Sequence, residues 1–130
     1  MKLVIEETGF EELRRVADRA EALAAVNLAY VEGRSALVRM RAGGRLGGQQ
    51  YEHGVIDLER AWGKIASVAA DDLVIERAVQ MAERHVLRAY DAVHLAAALE
   101  LAGDGDLGFA CWDDDLRAAA NAEELALIPG

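Results

Sequence analysis

The sequence predicts an α/β fold in which one parallel sheet, doubly wound and flanked by helices, forms a single domain. The chain has 130 residues, 53% hydrophobic and 28% charged, which is the size and composition of one globular unit with one core. Short apolar stretches of strand length alternate with amphipathic stretches of helix length, a pattern typical of a covered parallel sheet. Alanine is the commonest residue with 26 copies, and Pro129 is the single proline, so most of the chain has no helix breaker.

The first half of the chain is predicted to contain three helices and two strands. Apolar residues recur at helical spacing in three segments, and two short apolar runs lie between and after them. Gly43 and Gly44 end the second helix, because glycine readily takes the backbone conformation that closes a helix. The predicted helices cover residues 10–21, 28–42 and 49–64, and the predicted strands cover residues 23–27 and 65–69.

The second half is predicted to add three helices and two strands. Asp71 and Asp72 precede an apolar-periodic segment, where an aspartate caps exposed amide groups and favours the positive end of the helix dipole. An alanine-rich helix follows and ends at Gly103, before a turn. The predicted helices cover residues 73–85, 89–102 and 116–124, and the predicted strands cover residues 107–112 and 125–128. No repeat or linker interrupts the sequence, so residues 1–130 are predicted to form one domain.

Composition excludes several classes of protein. The net charge of -9 argues against broad electrostatic adhesion to nucleic acid or anionic lipid. No stretch approaches the roughly 18 to 20 apolar residues of a membrane helix, and no basic segment leads into an apolar run at the N-terminus. We therefore expect a cytoplasmic protein without a membrane partner. Cys111 is the single cysteine, which excludes a disulfide framework and a cysteine-built zinc site.

Basic residues are concentrated in one segment of this acidic chain. No acidic residue lies between Glu32 and Glu52, whereas the same segment contains four arginines: Arg34, Arg39, Arg41 and Arg45. Such a run is either a solvated face or a contact for phosphate groups or a partner, and the sequence leaves both open.

Three acidic residues are candidates for a functional site. Ligands of an open parallel sheet bind beyond the carboxyl ends of its strands. Asp113 directly follows the predicted strand 107–112, and Glu32 lies in the first turns of the helix after strand 23–27. Asp91 is one carboxylate among apolar neighbours, which is costly unless it is paired or metal-bound. A helix-start acid that answers the dipole explains Asp91 equally well.

The remaining histidines and tryptophans suggest structural roles. His94 lies one turn after Asp91 on the same helix face, and we expect a packed or hydrogen-bonded histidine there instead of a metal ligand. Trp62 and Trp112 are expected to be core anchors, because they lack the neighbouring aromatic and basic residues of a base-stacking surface.

Three motifs in order resemble those of PIN-domain proteins, in particular VapC-like toxins. Residues 87–98 (LRAYDAVHLAAA) resemble the signature helix of that family, and residues 27–37 (NLAYVEGRSAL) resemble its glutamate-bearing helix. Residues 109–116 (FACWDDDL) resemble its strand-then-aspartate segment. The resemblance extends from about residue 6 to residue 127, which is nearly the whole chain.

The resemblance implies a PIN-like doubly wound fold and a divalent-metal ribonuclease, the toxin of a type II toxin-antitoxin pair. By position, the catalytic and metal-binding acids would be Glu32, Asp91 and Asp113, with Asp115 as a further ligand of Mg²⁺ or Mn²⁺. Hard cations prefer carboxylate oxygens, and a bound metal activates water for attack on a phosphodiester. The implied RNA contacts are Arg34, Arg39 and Arg88, and the implied partners are RNA, a cognate antitoxin and a second copy of the chain.

Two other functions stay open. A catalytically impaired PIN-like module would engage an antitoxin or another protein without cleaving RNA. An unrelated helical interaction protein is a third reading, which requires that the strands beginning near Leu23, Ile65 and Leu107 be absent.

The sequence departs from the family at its N-terminus. The family begins with an apolar strand that ends in an aspartate and lies in the middle of the sheet, and residues 2–9 resemble the stretch after it. We consider, in order of preference, that the sequence starts at a downstream methionine, that a shortened protein survives as a binding module, or that residues 1–5 supply the central strand with Glu6 replacing the aspartate. The third explanation avoids a sheet with an unpaired middle.

Overall fold

The computed structural model describes residues 2–5, 22–102, 107–111 and 113–128. Within them lies a five-stranded sheet with the order β3-β2-β1-β4-β5, in which every neighbouring pair is parallel. The chain builds outward from β1 in one direction and then in the other, which confirms the predicted doubly wound α/β fold. The strands are β1 (Lys2–Ile5), β2 (Ala22–Val26), β3 (Ile65–Val68), β4 (Leu107–Ala110) and β5 (Ala126–Ile128).

Five helices connect or flank these strands. They are α1 (Leu28–Ala42), α2 (Gly48–Trp62), α3 (Asp72–His85), α4 (Ala89–Ala102) and α5 (Asp114–Ala122). Predicted and observed boundaries of these helices and of strands β2 to β5 differ by at most two residues. The largest helix shift is in α5, which begins two residues early because Asp113 caps it. The predicted helix over residues 10–21 and the predicted turn over residues 103–106 lie outside the described residues.

The centre of the sheet is occupied by β1. Its register places Lys2 beside Ala22 of β2 on one side and beside Leu107 of β4 on the other. This corrects the expectation that the central strand is missing, and it agrees with the explanation in which residues 1–5 supply that strand. A strand is required there because the backbone groups of β2 and β4 would otherwise lack partners. Glu6, the proposed replacement acid, lies outside the described residues. The strands at Ala22–Val26, Ile65–Val68 and Leu107–Ala110 exclude the unrelated helical protein.

Helix α4 is the centre of the hydrophobic core. Every residue from Ala92 to Ala98 is buried, and the helix packs against α3 and against the sheet strands β2 and β4. Alanine side chains let this helix approach its neighbours closely, and Val26 and Phe109 fill the space from the sheet side. The position of α4 therefore fixes Asp91, which lies in its first turn.

His94 is enclosed in this core one turn after Asp91. Its ring is stacked on Tyr90 with centroids 6.0 Å apart, and it contacts Phe109 at 5.3 Å. Burial lowers the pKa of His94 to about 3, so the ring is neutral at ordinary pH. The expectation of a packed histidine is confirmed, and neither ring nitrogen has a hydrogen-bond partner within the described part of the chain.

Helices α1 and α2 form a hairpin. Gly54 lets the two helices approach closely, because a Cβ at this position would come within 2.8 Å of Leu37. No residue of α2 is buried, and the half-buried Trp62 lies 5.4 Å from the ring of Tyr30. The expectation that Trp62 anchors the core is therefore wrong. None of the helices in the described ranges is both long and apolar enough to cross a membrane.

Candidate functional site

The candidate site lies where β2 and β4 end and the following helices begin. Asn27, the residue after β2, donates its backbone N–H to the carbonyl of Val68 at 2.8 Å. Its side-chain oxygen accepts a hydrogen bond from the backbone N–H of Ala70 at 3.4 Å. These contacts join the carboxyl ends of β2 and β3 and fix the start of α1. Glu32 is half-buried in the first turns of that helix, as predicted.

Asp113 lies between β4 and α5. Its Oδ1 accepts a hydrogen bond from the backbone N–H of Leu116 at 3.0 Å, so the carboxylate caps the helix. The neighbouring Asp115 is exposed in the first turn of α5. Capping engages one carboxylate oxygen of Asp113 with the helix, and it gives the side chain a defined orientation at the end of the sheet.

Asp91 connects these acids electrostatically. Burial raises the pKa of the Asp91 carboxyl, and the negative charge of Asp113 raises it further. Arg88 opposes this rise, while Asp115 and Glu32 add to it. All four predicted acids therefore share one neighbourhood, although they come from three helices that are far apart in sequence.

The donor set fits a hard divalent cation in its chemistry. Carboxylate oxygens are preferred ligands of Mg²⁺ and Mn²⁺, and a cation would offset the repulsion that raises the pKa of Asp91. Among the residues that the structure describes, no three Asp, Glu, His or Cys side chains are grouped closely enough to hold a metal ion. The acids thus share a charge environment without forming a closed coordination shell.

The three predicted RNA contacts differ in their surroundings. The guanidinium of Arg34 donates a hydrogen bond to Glu59 at 2.9 Å, and it lies 3.3 Å from the hydroxyl of Tyr30, so this arginine joins α1 to α2. Arg39 is exposed and follows Glu32 by seven residues, nearly two helical turns. It therefore lies on the same face of α1, about 10 Å further along the axis. Arg88 is exposed directly before α4, and its positive charge acts to lower the pKa of Asp91.

Sequence reasoning missed one contact at this site. Arg117, four residues after Asp113, donates a hydrogen bond from Nη1 to the carbonyl oxygen of Cys111 at 2.8 Å. The spacing of four residues gave a weak signal, because it places Arg117 one turn along α5 from Asp113. The recipient is a backbone carbonyl, which no residue pattern identifies.

No protein-family model matches the chain. It is 33% identical over 129 residues to two curated proteins of Mycobacterium tuberculosis, ribonuclease VapC45 of strain CDC 1551 / Oshkosh and ribonuclease VapC49 of strain ATCC 25618 / H37Rv. Each alignment covers 99% of this chain and 89% of the relative. The fold is similar to the crystal structure of PAE2754 from Pyrobaculum aerophilum, with a TM-score of 0.68 and 20% identity over 98% of this chain and 89% of that one. Because the identity to the two relatives extends over nearly the whole sequence, the chain belongs to the VapC-like PIN-domain family.

Proposed function

We propose that this protein is a divalent-metal-dependent ribonuclease that hydrolyses RNA phosphodiester bonds, and that it acts as the toxin of a toxin-antitoxin pair. The observation that carries the proposal is the shared electrostatic neighbourhood of Asp91, Glu32, Asp113 and Asp115 at the end of the parallel sheet. The relatives named ribonucleases support the same activity. A group of mutually repelling carboxylates is costly to maintain, and cation binding supplies a reason to maintain it.

Each acid has a role in this proposal. Glu32, Asp91 and Asp113 would hold Mg²⁺ or Mn²⁺, with Asp115 as a further ligand. The cation, when bound, lowers the pKa of a water molecule and stabilises the negative charge that develops on the phosphate. The half-buried position of Asp91 strengthens its electrostatic attraction to a cation, because solvent screens the interaction less there than at the surface.

The RNA backbone is held by Arg39 and Arg88 in this proposal. Both residues are exposed, Arg39 on α1 and Arg88 in the segment directly before α4. The separation of about 10 Å between Glu32 and Arg39 along α1 corresponds to about three nucleotides of a stacked strand with a rise of about 3.4 Å. Arg34 is less suited to this role because Glu59 already engages its guanidinium.

The test is cleavage of total RNA by the purified chain in the presence of Mg²⁺ or Mn²⁺. We expect cleavage that EDTA abolishes and that Asp91→Asn reduces by about 100-fold or more, since the variant removes a charged ligand. Asp72→Asn is the matched control, because Asp72, like Asp91, is an acid in the first turn of a helix. Its charge has no resolved effect on Asp91.

Two results would contradict the ribonuclease proposal. One is the absence of cleavage with either cation, and the other is equal cleavage by the Asp91→Asn variant and the unaltered chain. Folded protein that binds an antitoxin but does not cleave RNA would support the catalytically impaired module instead.

The partners in this proposal are a cognate antitoxin and a second copy of the chain, and the proposed location is the cytoplasm. We expect the product of an adjacent or overlapping gene to co-purify with the chain and to inhibit RNA cleavage. Light scattering should give twice the 14.0 kDa mass of one chain. A mass of 14.0 kDa at working concentration would contradict the homodimer.

A further inference from the structure

The turn between β4 and α5 is held by two hydrogen bonds from one residue. The backbone N–H of Arg117 donates to the carbonyl oxygen of Asp113 at 2.9 Å. The guanidinium of the same residue donates from Nη1 to the carbonyl oxygen of Cys111 at 2.8 Å. Since Cys111 directly follows β4, Arg117 ties the first turn of the helix back to the end of the strand.

A second turn of the same protein provides an internal control. Asp71 caps α3 as Asp113 caps α5, with the backbone N–H of Val74 3.0 Å from Oδ1. The residue four positions after Asp71 is Ile75, whose backbone N–H donates to the carbonyl oxygen of Asp71 at 2.9 Å. Its apolar side chain has no group that can donate a hydrogen bond to the strand. A side chain of the following helix therefore ties the turn at Asp113 to its strand, whereas the residue at the same helix position after Asp71 cannot form this contact.

We propose that Arg117 is a positioning residue that fixes the turn carrying Asp113, and thereby holds the Asp113 carboxylate in place for cation binding. Only the second part of this inference, the link to cation binding, rests on the proposed function. The hydrogen-bond cap leaves Asp113 one oxygen for another partner, and a ligand must be held to within about 0.5 Å of its working geometry. Residues that orient a metal ligand from behind typically change affinity or activity by about 10- to 100-fold when they are removed.

The test variant is Arg117→Met, which replaces the arginine with an unbranched apolar side chain and removes every hydrogen-bond donor of the guanidinium. Arg77→Met is the matched control. The Arg77 guanidinium forms an ion pair with Glu100 at 2.9 Å, and neither residue belongs to the turn. Arg117→Lys is a conservative variant that keeps the positive charge and a donor on a flexible chain.

The first readout is hydrogen exchange at single backbone amides, which needs no metal. We expect the amide of Leu116, which Asp113 caps, to exchange about 10-fold faster in Arg117→Met. The amide of Val74, which Asp71 caps, should exchange at an unchanged rate. Equal exchange of Leu116 in the variant and the unaltered chain would overturn the positioning role.

The second readout is the dissociation constant of Mn²⁺ alone, measured by titration calorimetry without RNA. We expect about a 10-fold weaker affinity in Arg117→Met, partial recovery in Arg117→Lys and no change in Arg77→Met. A faster exchange of Leu116 with unchanged Mn²⁺ affinity would overturn the link to the cation. Failure of the unaltered chain to bind Mn²⁺ would count against the proposed function, while the exchange rates would still decide the positioning role.

Discussion

The first turns of α3 and α5 have nearly the same local structure, although they follow different strands of the sheet. Each helix follows a strand, and each begins with consecutive aspartates, the first of which caps the helix. The distance from carboxylate oxygen to capped amide nitrogen is 3.0 Å for both Asp71 and Asp113. Only Asp113 raises the pKa of Asp91 among these two, so identical capping geometry serves one structural acid and one candidate ligand.

The difference between the two turns is one of topology. Strand β3, which precedes Asp71, is at the edge of the sheet, whereas β4, which precedes Asp113, is paired with the central strand β1. The doubly wound order changes direction at β1, and the carboxyl ends of strands at such a point are where ligands of open α/β sheets bind. The position of the preceding strand in the sheet therefore decides whether an aspartate that caps a helix is also a candidate metal ligand.

The largest expected effect comes from replacing the capping aspartate of each turn with asparagine. Asp113→Asn should reduce metal-dependent RNA cleavage by about 100-fold or more, because it removes a charged ligand, whereas Asp71→Asn should leave cleavage within about twofold. Asparagine is as good a helix cap as aspartate, so both variants should keep their helices. The measurement is initial cleavage rate on one RNA at fixed Mn²⁺. Equal losses in the two variants would mean that the two turns do not differ in function.

The second effect concerns α4, the buried helix that carries Asp91, and its response to acid. His94 lies in the core on α4, and its pKa of about 3 in the folded chain is below the ordinary 6.5. Below pH 6.5 the unfolded chain takes up a proton that the folded chain excludes until about pH 3. The free energy of unfolding should therefore fall with decreasing pH, with a contribution from His94 of about 2 kcal/mol between pH 6.5 and 5.

Urea denaturation across this pH range measures the effect. His94→Leu should flatten the pH dependence by that amount, whatever its own stability at neutral pH. Val93→Ala is the control and should leave the slope unchanged, because it alters the same buried helix without removing a titratable group. An equally steep dependence in His94→Leu would show that another group causes the acid sensitivity.

The order of elements could be predicted from the sequence because it depends on local patterns. Apolar runs marked the strands, alanine density marked α4, and the aspartates before α3 marked a cap that the structure confirms at Asp71. Three of the acids near Asp91 could be predicted as candidates from the strand ends and from apolar neighbours, but their shared role as metal ligands and the addition of Asp115 came only from the family motifs.

What could not be predicted depends on contacts between distant segments. The four residues of β1 contain no signal for which strands would flank them, so the occupied centre of the sheet was not the preferred expectation. Arg34 lies in a basic run that fits an RNA contact, yet Glu59, 25 residues away, engages it. The hydrogen bond from Arg117 ends on the backbone of Cys111, which has no residue-specific signature.

A smaller effect distinguishes the caps by stability. Asp71→Ala should lower the free energy of unfolding by about 1 kcal/mol, the usual cost of losing a helix cap. Asp113→Ala loses the same hydrogen bond, but it also removes a charge that repels Asp91, so its net cost should be smaller. Thermal denaturation in EDTA measures both values. A larger cost for Asp113→Ala than for Asp71→Ala would contradict the repulsion between Asp113 and Asp91.

The smallest expected effect tests the same repulsion from the side of Asp91. Its raised pKa means that the ionised carboxyl is less favourable in the folded chain than in the unfolded one, chiefly because of burial and the charge of Asp113. At neutral pH and without metal, Asp91→Asn should therefore leave stability unchanged or raise it by less than about 1 kcal/mol, since partial exposure screens the repulsion. The gain should disappear in Mn²⁺, which stabilises only the chain that keeps its ligand. A variant that is clearly less stable in EDTA would mean that Asp91 is held by favourable contacts, and the carboxylates would then need no cation to balance them.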